Sequence, residues 1–301
     1  MIRPLLRHLC HGLLTAVALT ALLPASALAR VCVNDDAGQQ ICLAHPAQRI
    51  ISLSPGGTEL LYDAGAGSKL LATVDFSDYP AAARKLPRIG SAERLDLEAI
   101  IAWQPDLVVA WRSGNPKAQV ARLEQLGLKV YRSEPRHFAD ISSTLERLGK
   151  LAGSEAVGDA AAAHFRTGID ALRQHYASAT PVTVFYEIWE KPLMTVNGSH
   201  LISQAIRLCG GSNIFAGLSS LAPRVSREAV IARNPQAIVV GGLGENNRQW
   251  LSPWKAFPAL SAVQHGNLFF VPPSTLQRPT PRMLDGVRSL CQDLEQARAR
   301  R

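Results

Sequence analysis

The chain has 301 residues, of which 47% are hydrophobic and 19% are charged, and its formal net charge is +8. Apart from a short C-terminal cluster, its lysines and arginines are scattered and are not interleaved with aromatic residues, which argues against a nucleic-acid-binding protein. The length is sufficient for two lobes, each with its own hydrophobic core.

The first 29 residues have the pattern of a cleaved secretory leader. Arg3 and Arg7 give a basic start, residues 13–23 form an apolar run, and Ala27-Leu28-Ala29 is the small-residue pattern that signal peptidase cuts after. Later apolar runs are all shorter than the roughly 20 residues that span a bilayer, and no cysteine follows the leader closely enough for a lipid anchor. We therefore expect a secreted, soluble protein of about 272 residues after cleavage.

Four cysteines remain after the leader is removed, an even number that is typical of disulfide bonding in an exported protein. Three pairings are possible. Cys32 and Cys42 flank a turn-rich segment, so we expect them to join the two strands of a hairpin. Cys209 and Cys291 then close a loop of about 80 residues, which would contribute roughly 4 to 5 kcal/mol of stability in the chain-entropy model. A zinc site is the alternative, but no C-x-x-C spacing supports it.

Short apolar runs alternate with helical patterns in the first half of the mature chain, as expected for a parallel sheet covered by helices. In residues 95–111, which we call the first repeat unit, a capped helix is followed by a proline and a continuous apolar run. The next helix has Asn115 as its predicted cap, Pro116 in its first turn and Gly127 after its end. The other predicted elements are strands at 50–53, 70–74 and 129–132 and a helix at 58–66.

One long helix is predicted in the middle of the chain, from a cap at Ser154 to about residue 178. At 1.5 Å per residue it would be about 38 Å long, close to the width of a domain. No flexible linker separates the two halves, so we expect little movement between them. The residues predicted to face the core recur every three or four positions: Val157, Ala161, Phe165, Ile169, Leu172 and Tyr176.

The second half repeats the alternation of strands and helices. Residues 226–240, the second repeat unit, have the same order of capped helix, proline and apolar run as the first repeat unit. The other predicted elements are strands at 182–188 and 268–271, a helix from residues 198–200 to Cys209, and a final helix from about Pro281. The duplication predicts an α/β protein of two lobes with mainly parallel sheets, at residues 30–153 and 179–301, joined by one helix at 154–178.

Ligands of open parallel sheets lie beyond the carboxyl ends of the strands, so the residues there are the candidates for a binding site. Aromatic residues make up only 6% of the chain, yet several of these ends carry one or an arginine. Such loops could line a wide apolar cleft for a large flat ligand, although Trp111 and Trp189 could equally pack inside their own lobes. The candidate ligand-binding residues are Phe76, Tyr79, Trp111, Arg112, Tyr186, Trp189 and Arg278.

Signatures of an enzyme are poor. The sequence has no G-x-S-x-G elbow, no phosphate loop and no H-E-x-x-H, and its histidines are not spaced for a metal site or a catalytic triad. We therefore expect no catalytic residue, no metal site and no resident cofactor. A secreted hydrolase that uses Ser54 or His200 is the alternative from another functional class.

Glu98 and Glu228 occupy the same position in the two repeat units. With Asp96 and Ser226 as predicted caps, each glutamate lies in the first turn of a helix, where a carboxylate favours the helix dipole by about 0.3 to 1 kcal/mol. Two such carboxylates would also make a pair of separated acidic groups, one on each lobe, that could dock on a symmetric basic partner. The residues alone leave both interpretations open and favour the structural one.

Seven segments together resemble the periplasmic cobalamin-binding proteins of ABC importers, which belong to the helical-backbone metal receptor superfamily. The resemblance covers nearly all of the mature chain. The segments are Arg49-Ile-Ile-Ser-Leu-Ser-Pro-Gly-Gly-Thr-Glu-Leu60, Ser77-Asp-Tyr-Pro80, Leu97-Glu98, Pro105-Asp-Leu-Val108, Ala110-Trp-Arg112, Cys209-Gly-Gly-Ser-Asn-Ile-Phe215 and Val225-Ser-Arg-Glu228.

The resemblance implies the fold of a class III periplasmic solute-binding protein, with a corrinoid held between the lobes by a monomeric receptor. It implies that Glu98 and Glu228 meet arginines on the two permease subunits of the importer. It also matches the family's disulfide to Cys209 and Cys291, and it places Trp111 where the family has an aromatic residue against the corrin.

The chain departs from the family pattern at two cleft positions. Ala92 and Ala222 stand where the best-known cobalamin receptor has tryptophans, and residues 185–189 also differ and could supply aromatic surface from the second lobe. These departures leave a haem-binding or ferric-siderophore-binding protein of the same fold as the alternative function. The Cys32 to Cys42 hairpin is an addition to the family pattern.

Overall fold

The computed structural model describes residues 30–242 and 244–300. The predicted leader, residues 1–29, lies outside the described residues. In the part of the chain that the model describes, no helix combines the length and the apolar character needed to cross a membrane.

The described chain begins with an antiparallel hairpin of β1 (Val31–Asn34) and β2 (Gln40–Leu43). Cys32 and Cys42 face each other across its two strands and form a disulfide, as predicted. Arg147 holds the hairpin against the body of the protein, since its guanidinium pairs with Asp36 at 2.7 Å and donates to the Asn34 carbonyl at 2.8 Å.

The first lobe is built on a four-stranded parallel sheet in the order β4-β3-β5-β6. Short 3-10 turns at Gly67–Lys69 and Ala81–Lys85 join some of the elements. The strands are β3 (Ile50–Ser52), β4 (Leu70–Ala72), β5 (Leu107–Trp111) and β6 (Val130–Ser133), and the helices are α1 (Pro55–Asp63), α2 (Leu97–Ala102), α3 (Lys117–Gln125) and α4 (Phe138–Ala152). Helix α4 is absent from the predicted elements.

Helix α5 (Glu155–His175) connects the two lobes and is about 32 Å long, because it ends before the predicted residue 178. Its buried stripe differs from the predicted one, since Val157 is 51% exposed and Gly158 takes the inward position. A Cβ atom at Gly158 would lie 2.6 Å from the Leu145 carbonyl oxygen, so glycine there lets α5 pack closely on α4. The close packing of α5 on α4 therefore determines which residues of α5 are buried.

The second lobe repeats the topology of the first. Its parallel sheet has the order β10-β9-β7-β8, so in both lobes the four strands, taken in chain order, are arranged 2-1-3-4. This agreement confirms the predicted internal duplication. The strands are β7 (Val182–Glu187), β8 (Gly211–Asn213), β9 (Ala237–Val240) and β10 (Leu268–Phe270), and the helices are α6 (Leu201–Leu208), α7 (Arg227–Arg233), a 3-10 segment Gln249–Ala256, α8 (Ser261–Gln264), α9 (Pro273–Leu276) and α10 (Met283–Ala299).

One continuous hydrophobic core joins the two lobes. It includes Ile50 and Val109 from the first sheet, Val184 from the second sheet, and Phe165 of α5, with each of these side chains buried. Each sheet also has a separate apolar cluster on its other face. Because the shared core would have to open if the lobes separated, the predicted two-lobe α/β fold has a rigid connection.

The second disulfide joins Cys209, at the end of α6, to Cys291 in the middle of α10, as predicted. Its sequence separation is 82 residues, whereas that of the hairpin disulfide is 10 residues. A longer closed loop restricts the unfolded chain more strongly.

The two disulfides should therefore differ in their effect on stability. Replacing Cys209 and Cys291 together by alanine should lower the free energy of unfolding by about 4.5 kcal/mol, and replacing Cys32 and Cys42 by about 2.7 kcal/mol, in the chain-entropy model. Urea unfolding of the oxidised protein and of the two double variants measures both losses. A larger loss for the hairpin pair would contradict the loop-length argument.

Candidate functional site

The carboxyl ends of both sheets meet at a cavity of about 490 Å³ between the lobes. The first lobe contributes the start of α1, the end of β5 and the loops after β4 and β6. The second lobe contributes α9 and the loops after β9 and α9. The cavity is thus at the strand ends where the sequence predicted a site.

Ser54 and the glycines after it form one wall of the cavity, where the chain turns from β3 into α1. The Ser54 hydroxyl accepts a hydrogen bond from the Gly57 amide at 3.0 Å and thereby caps the helix. In the described residues Ser54 has no hydrogen bond to a histidine, and His200 is bonded elsewhere. Ser54 therefore has a structural task and lacks the adjacent base that a hydrolase nucleophile needs.

Trp111, the last residue of β5, presents its indole ring to the cavity and is 42% exposed. A side chain at Gly114 would overlap the indole, so the ring lies flat on this glycine. The Trp111 amide donates to the Asn115 side chain at 2.7 Å, and Asn115 donates in turn to the carbonyls of Leu53 and Ala92 at 2.9 Å. Asn115 therefore ties three loops together, and the prediction that it caps α3 was wrong.

Phe76 and Tyr79 lie in the loop after β4 and differ in position. Phe76 lines the cavity with a side chain that is 79% exposed, on a backbone in the left-handed region (φ 62°). Tyr79 does not line the cavity. Its ring lies beneath the guanidinium of Arg282, whose central carbon is 3.8 Å from the ring centroid. Tyr79 therefore belongs to the contact between the lobes.

Arg278 lines the cavity and also joins the lobes. Its guanidinium donates at 2.8 Å both to Glu59 of α1 and to Asp78, and a second nitrogen donates to the Phe76 carbonyl at 3.3 Å. Burial alone would raise the pKa of the Asp78 carboxyl, but the hydrogen bond and charge of Arg278 hold it below its ordinary value. The arginine thus fixes the exposed Phe76 loop from the opposite lobe.

Glu59 is fully buried and is the centre of this contact. In addition to Arg278, Glu59 accepts hydrogen bonds from Arg282 at 2.9 and 3.1 Å and from the Thr280 hydroxyl at 2.9 Å. All three partners belong to the second lobe. Burial, reinforced by the Glu59 charge, raises the pKa of the neighbouring Asp63 to about 6, although Arg282 opposes this shift.

Besides Tyr79, three more predicted site residues do not line the cavity. Tyr186 is fully buried in the second lobe, and its hydroxyl accepts from the Gln277 amide at 3.3 Å. Arg112 points to the hairpin, where it donates to the Asp36 carbonyl at 3.1 Å. Trp189 is 41% exposed, but it packs edge-to-face on Trp250 with 5.9 Å between ring centroids. None of the three lines this cavity, and their contact with a ligand stays a prediction.

Sequence reasoning missed other residues of the cavity wall. Ser133 ends β6, and Pro135 follows it, while Gly244 and Glu245 lie in the loop after β9. The same rule about carboxyl ends of strands would have found them if it had been applied to all eight strands. Glu245 accepts a hydrogen bond from the Ser274 hydroxyl of α9 at 2.6 Å. This contact joins residues that are far apart in sequence, so no local sequence pattern predicts it.

Glu98 and Glu228 are exposed in the first turns of α2 and α7. Both predicted caps are observed, since Asp96 accepts from the backbone three residues later at 3.0 Å and Ser226 does so at 3.1 Å. Hydrogen bonds from its own backbone and from the Ser226 hydroxyl lower the pKa of the Glu228 carboxyl. A helix that connects two parallel strands begins at the carboxyl edge of the sheet, so we expect both glutamates at the edge that carries the cavity.

No group of three or more histidine, cysteine, aspartate or glutamate side chains in the described ranges is arranged to hold a metal ion. The charged groups on the cavity wall are Asp78, Glu245 and Arg278. Since Arg278 is already paired with Glu59 and Asp78, the wall has more acceptors of hydrogen bonds than free cations.

Residues 50–275 match the family described as periplasmic binding protein. The chain is 40% identical over 246 residues to the vitamin B12-binding protein of Vibrio cholerae serotype O1, which covers 82% of this chain and 88% of that protein. The crystal structure of the periplasmic vitamin B12 binding protein BtuF of Vibrio cholerae matches with a TM-score of 0.78 and 39% identity, over 84% of this chain and 98% of that one. The periplasmic heme binding protein HutB of Vibrio cholerae shares the fold, with a TM-score of 0.72 at 18% identity over 82% of this chain and 98% of that one.

Replacing Arg282 by leucine should lower the free energy of unfolding by about 3 to 5 kcal/mol, because it removes a partner from a fully buried carboxylate. Arg288→Leu is the matched control in α10, since Arg288 pairs with Asp285 on the surface and its loss should cost at most about 1 kcal/mol. Urea unfolding followed by tryptophan fluorescence measures both. Similar small losses would show that the Glu59 pair contributes little to holding the lobes together.

Proposed function

Because the chain belongs to the family of periplasmic binding proteins, we propose that it captures cobalamin or a related corrinoid and delivers it, chemically unchanged, to an ABC importer. The observation that carries this proposal is the cavity between the lobes, walled by Trp111 and Phe76, in a chain 40% identical to a vitamin B12-binding protein. Exposed aromatic side chains offer a large apolar area with little conformational freedom to lose, and a flat macrocycle can cover it.

The size of the cavity suits this ligand class. About 490 Å³ falls within the range of small-molecule sites, which is roughly 300 to 1,000 Å³. Phe76 is 79% exposed and held in place by the Arg278 contact, so a ligand can bury this ring without first ordering the loop. A preformed wall reduces the entropy that is lost on binding.

The charges of the cavity favour a corrinoid over haem or a ferric siderophore. Asp78 and Glu245 are acidic, and the only basic group of the described wall, Arg278, is paired with two carboxylates. The propionates of haem and the acidic groups of many siderophores would find no free cation here, and burying an unpaired charge is costly. Apart from the arm that carries the anionic nucleotide loop of cobalamin, the peripheral arms of a corrinoid are neutral amides, which hydrogen bonds alone can satisfy.

The lobes should move little when the ligand binds. We propose the division into lobes at residues 30–153 and 179–301 with the joining helix at 154–178. The shared core and the buried Glu59 contact both oppose hinge opening, and α5 packs on α4 and α10. Capture and release would then depend on movements of the loops around the cavity.

Glu98 and Glu228 are our candidates for docking on the importer. They occupy equivalent places in the two repeat units, at the first turns of α2 and α7, and both side chains are exposed. Equivalent acidic groups on two similar lobes suit a partner made of two similar subunits with basic pockets. A single receptor chain would therefore engage a permease dimer at the inner membrane, after the leader has directed it to the periplasm.

Titration of the purified protein with cyanocobalamin, followed by calorimetry or absorbance, tests the ligand. Trp111→Ala should weaken binding about tenfold or more, since it removes an aromatic anchor. Trp189→Ala is the matched control, because Trp189 is as exposed as Trp111 but does not line the cavity, and its affinity should be unchanged.

Two outcomes of the titration would contradict the proposal. Absence of binding at micromolar cyanocobalamin together with binding of haem would move the assignment to a haem-binding protein. Equal weakening by the two tryptophan variants would place the ligand outside the cavity.

The docking role predicts that Glu98→Ala combined with Glu228→Ala impairs corrinoid uptake by cells and leaves cyanocobalamin affinity unchanged. Asp170→Ala combined with Asp285→Ala removes the same charge from the exposed faces of α5 and α10 and should leave both uptake and affinity unchanged. Uptake of labelled cobalamin and calorimetry measure the two effects. Equal loss of uptake and affinity in the glutamate variant would contradict a role confined to docking.

A further inference from the structure

A side chamber of about 140 Å³ lies next to the cavity, at Trp111. The cavity and the side chamber share the walls formed by Trp111, Pro135, Gln277 and Pro279. Both lobes contribute to the side chamber, with the loop after β6 on one side and the start of α6 on the other. The side chamber is therefore adjacent to any ligand that occupies the cavity.

The charged groups of the side chamber neutralise each other. Glu134 pairs with Arg136 at 3.0 Å and accepts hydrogen bonds from the Ser113 amide at 2.9 Å and from the Ser113 hydroxyl at 3.0 Å. An anionic guest would therefore find no unpaired cation among the described residues of this wall. A neutral polar group would not pay the cost of burying an unpaired charge.

His200 supplies a hydrogen-bond donor to the side chamber. Its Nδ1 accepts from the Ile202 amide at 3.1 Å, because His200 is the cap residue of α6. Burial, assisted by the charge of Arg136, lowers the pKa of the imidazole to about 4, so the ring is neutral at physiological pH. A neutral imidazole whose Nδ1 accepts a hydrogen bond carries its proton on Nε2. The His200 side chain makes no other hydrogen bond within the described ranges.

Gln277 supplies an acceptor to the same wall. Its amide nitrogen donates to the Tyr186 hydroxyl at 3.3 Å and lies against Gly241, which fixes the orientation of the amide. The carbonyl oxygen of the side chain then faces away from Tyr186 and makes no hydrogen bond to the rest of the described chain. The buried Tyr186, which does not reach the ligand, thus orients a residue that does line the cavity.

A donor and an acceptor on one small neutral chamber are the complement of a primary amide, which has a carbonyl oxygen and an N–H group. The volume of about 140 Å³ corresponds to roughly five water molecules in the liquid. That space is enough for an acetamide or propionamide arm.

We propose that the side chamber binds one primary amide arm of the ligand, with His200 Nε2–H donating to its carbonyl oxygen and the Gln277 side-chain oxygen accepting its N–H. This proposal rests on the proposed function, because corrinoids carry such arms around the ring and haem carries carboxylates. It assigns His200 to ligand selection in addition to its role as a helix cap. Replacing the amide by a carboxylate would set two acceptors against each other and bring a second anion near Glu134.

The first test uses the unchanged protein and a set of cyanocobalamin derivatives, each with one peripheral amide hydrolysed to the carboxylic acid. One derivative should bind at least fivefold more weakly than the others, because the remaining arms lie outside the side chamber. Equal affinities throughout the set would overturn the proposal. This measurement needs no variant and does not depend on the folding of one.

The second test uses His200→Asn, which keeps a good helix cap but is too short to present a donor in the side chamber. Its affinity for cyanocobalamin should fall about fivefold, the value of one neutral hydrogen bond, with an unchanged melting temperature. We call the ratio of the unchanged protein's affinity to that of His200→Asn the variant's fold-loss. The fold-loss measured with the derivative singled out in the first test should differ at least threefold from the fold-loss measured with cyanocobalamin. The same fold-loss for every derivative would overturn the proposal.

The two proposals fail in different ways. If the unchanged protein does not bind cyanocobalamin, the proposed function itself is wrong. If it binds cyanocobalamin, but His200→Asn binds equally well, the function stands and the role of the side chamber is refuted.

Discussion

The buried Glu59 carboxylate is the interaction on which the geometry of the cleft depends. It belongs to the first lobe and accepts hydrogen bonds only from residues of the second lobe among the described contacts, namely Arg278, Thr280 and Arg282. A carboxylate buried this deeply is tolerated only while its partners remain in place, so any opening of the lobes would expose unpaired charges. Because Arg278 also holds Asp78 and the Phe76 carbonyl, the same contact sets the position of an aromatic wall of the cavity.

Duplication of one topology explains why the chain has a cleft with two similar sides. Each lobe has strands in the order 2-1-3-4, so each presents the carboxyl ends of its strands to the other lobe. The lobes are nevertheless joined by a shared core along α5, where Gly158 permits close packing on α4. The result is a cleft whose width is set by packing and whose walls are the loops at the strand ends of the two lobes.

Elements whose cause lies within a few residues were predictable from the sequence. The caps at Asp96 and Ser226, the cysteine hairpin and the alternation of strands and helices are all local, and each is observed. Positions decided by tertiary packing were not predictable. Tyr186 lies in a strand whose sequence pattern does not show which face of the sheet is covered, and it is buried. Asn115 has the pattern of a helix cap, but its side chain makes hydrogen bonds to the backbone of three loops instead. The partners of Glu59 are more than 200 residues away in sequence, so only the resemblance to a family drew attention to its segment.

The polar groups that the cleft can offer to a ligand are those that are not already paired with other groups of the protein. Among the described residues, Arg278 lines the cavity and Arg136 lines the side chamber, and each is paired with a carboxylate of the protein. His200 is neutral, and its Nδ1 is occupied, which leaves a donor without charge. A site whose cations are neutralised internally penalises anionic ligands, and one with a single neutral donor and acceptor favours amides, because an unmatched buried polar group costs more than a matched one contributes. With the proposed function, internal pairing would separate corrinoids from carboxylate-bearing tetrapyrroles without any large change in shape.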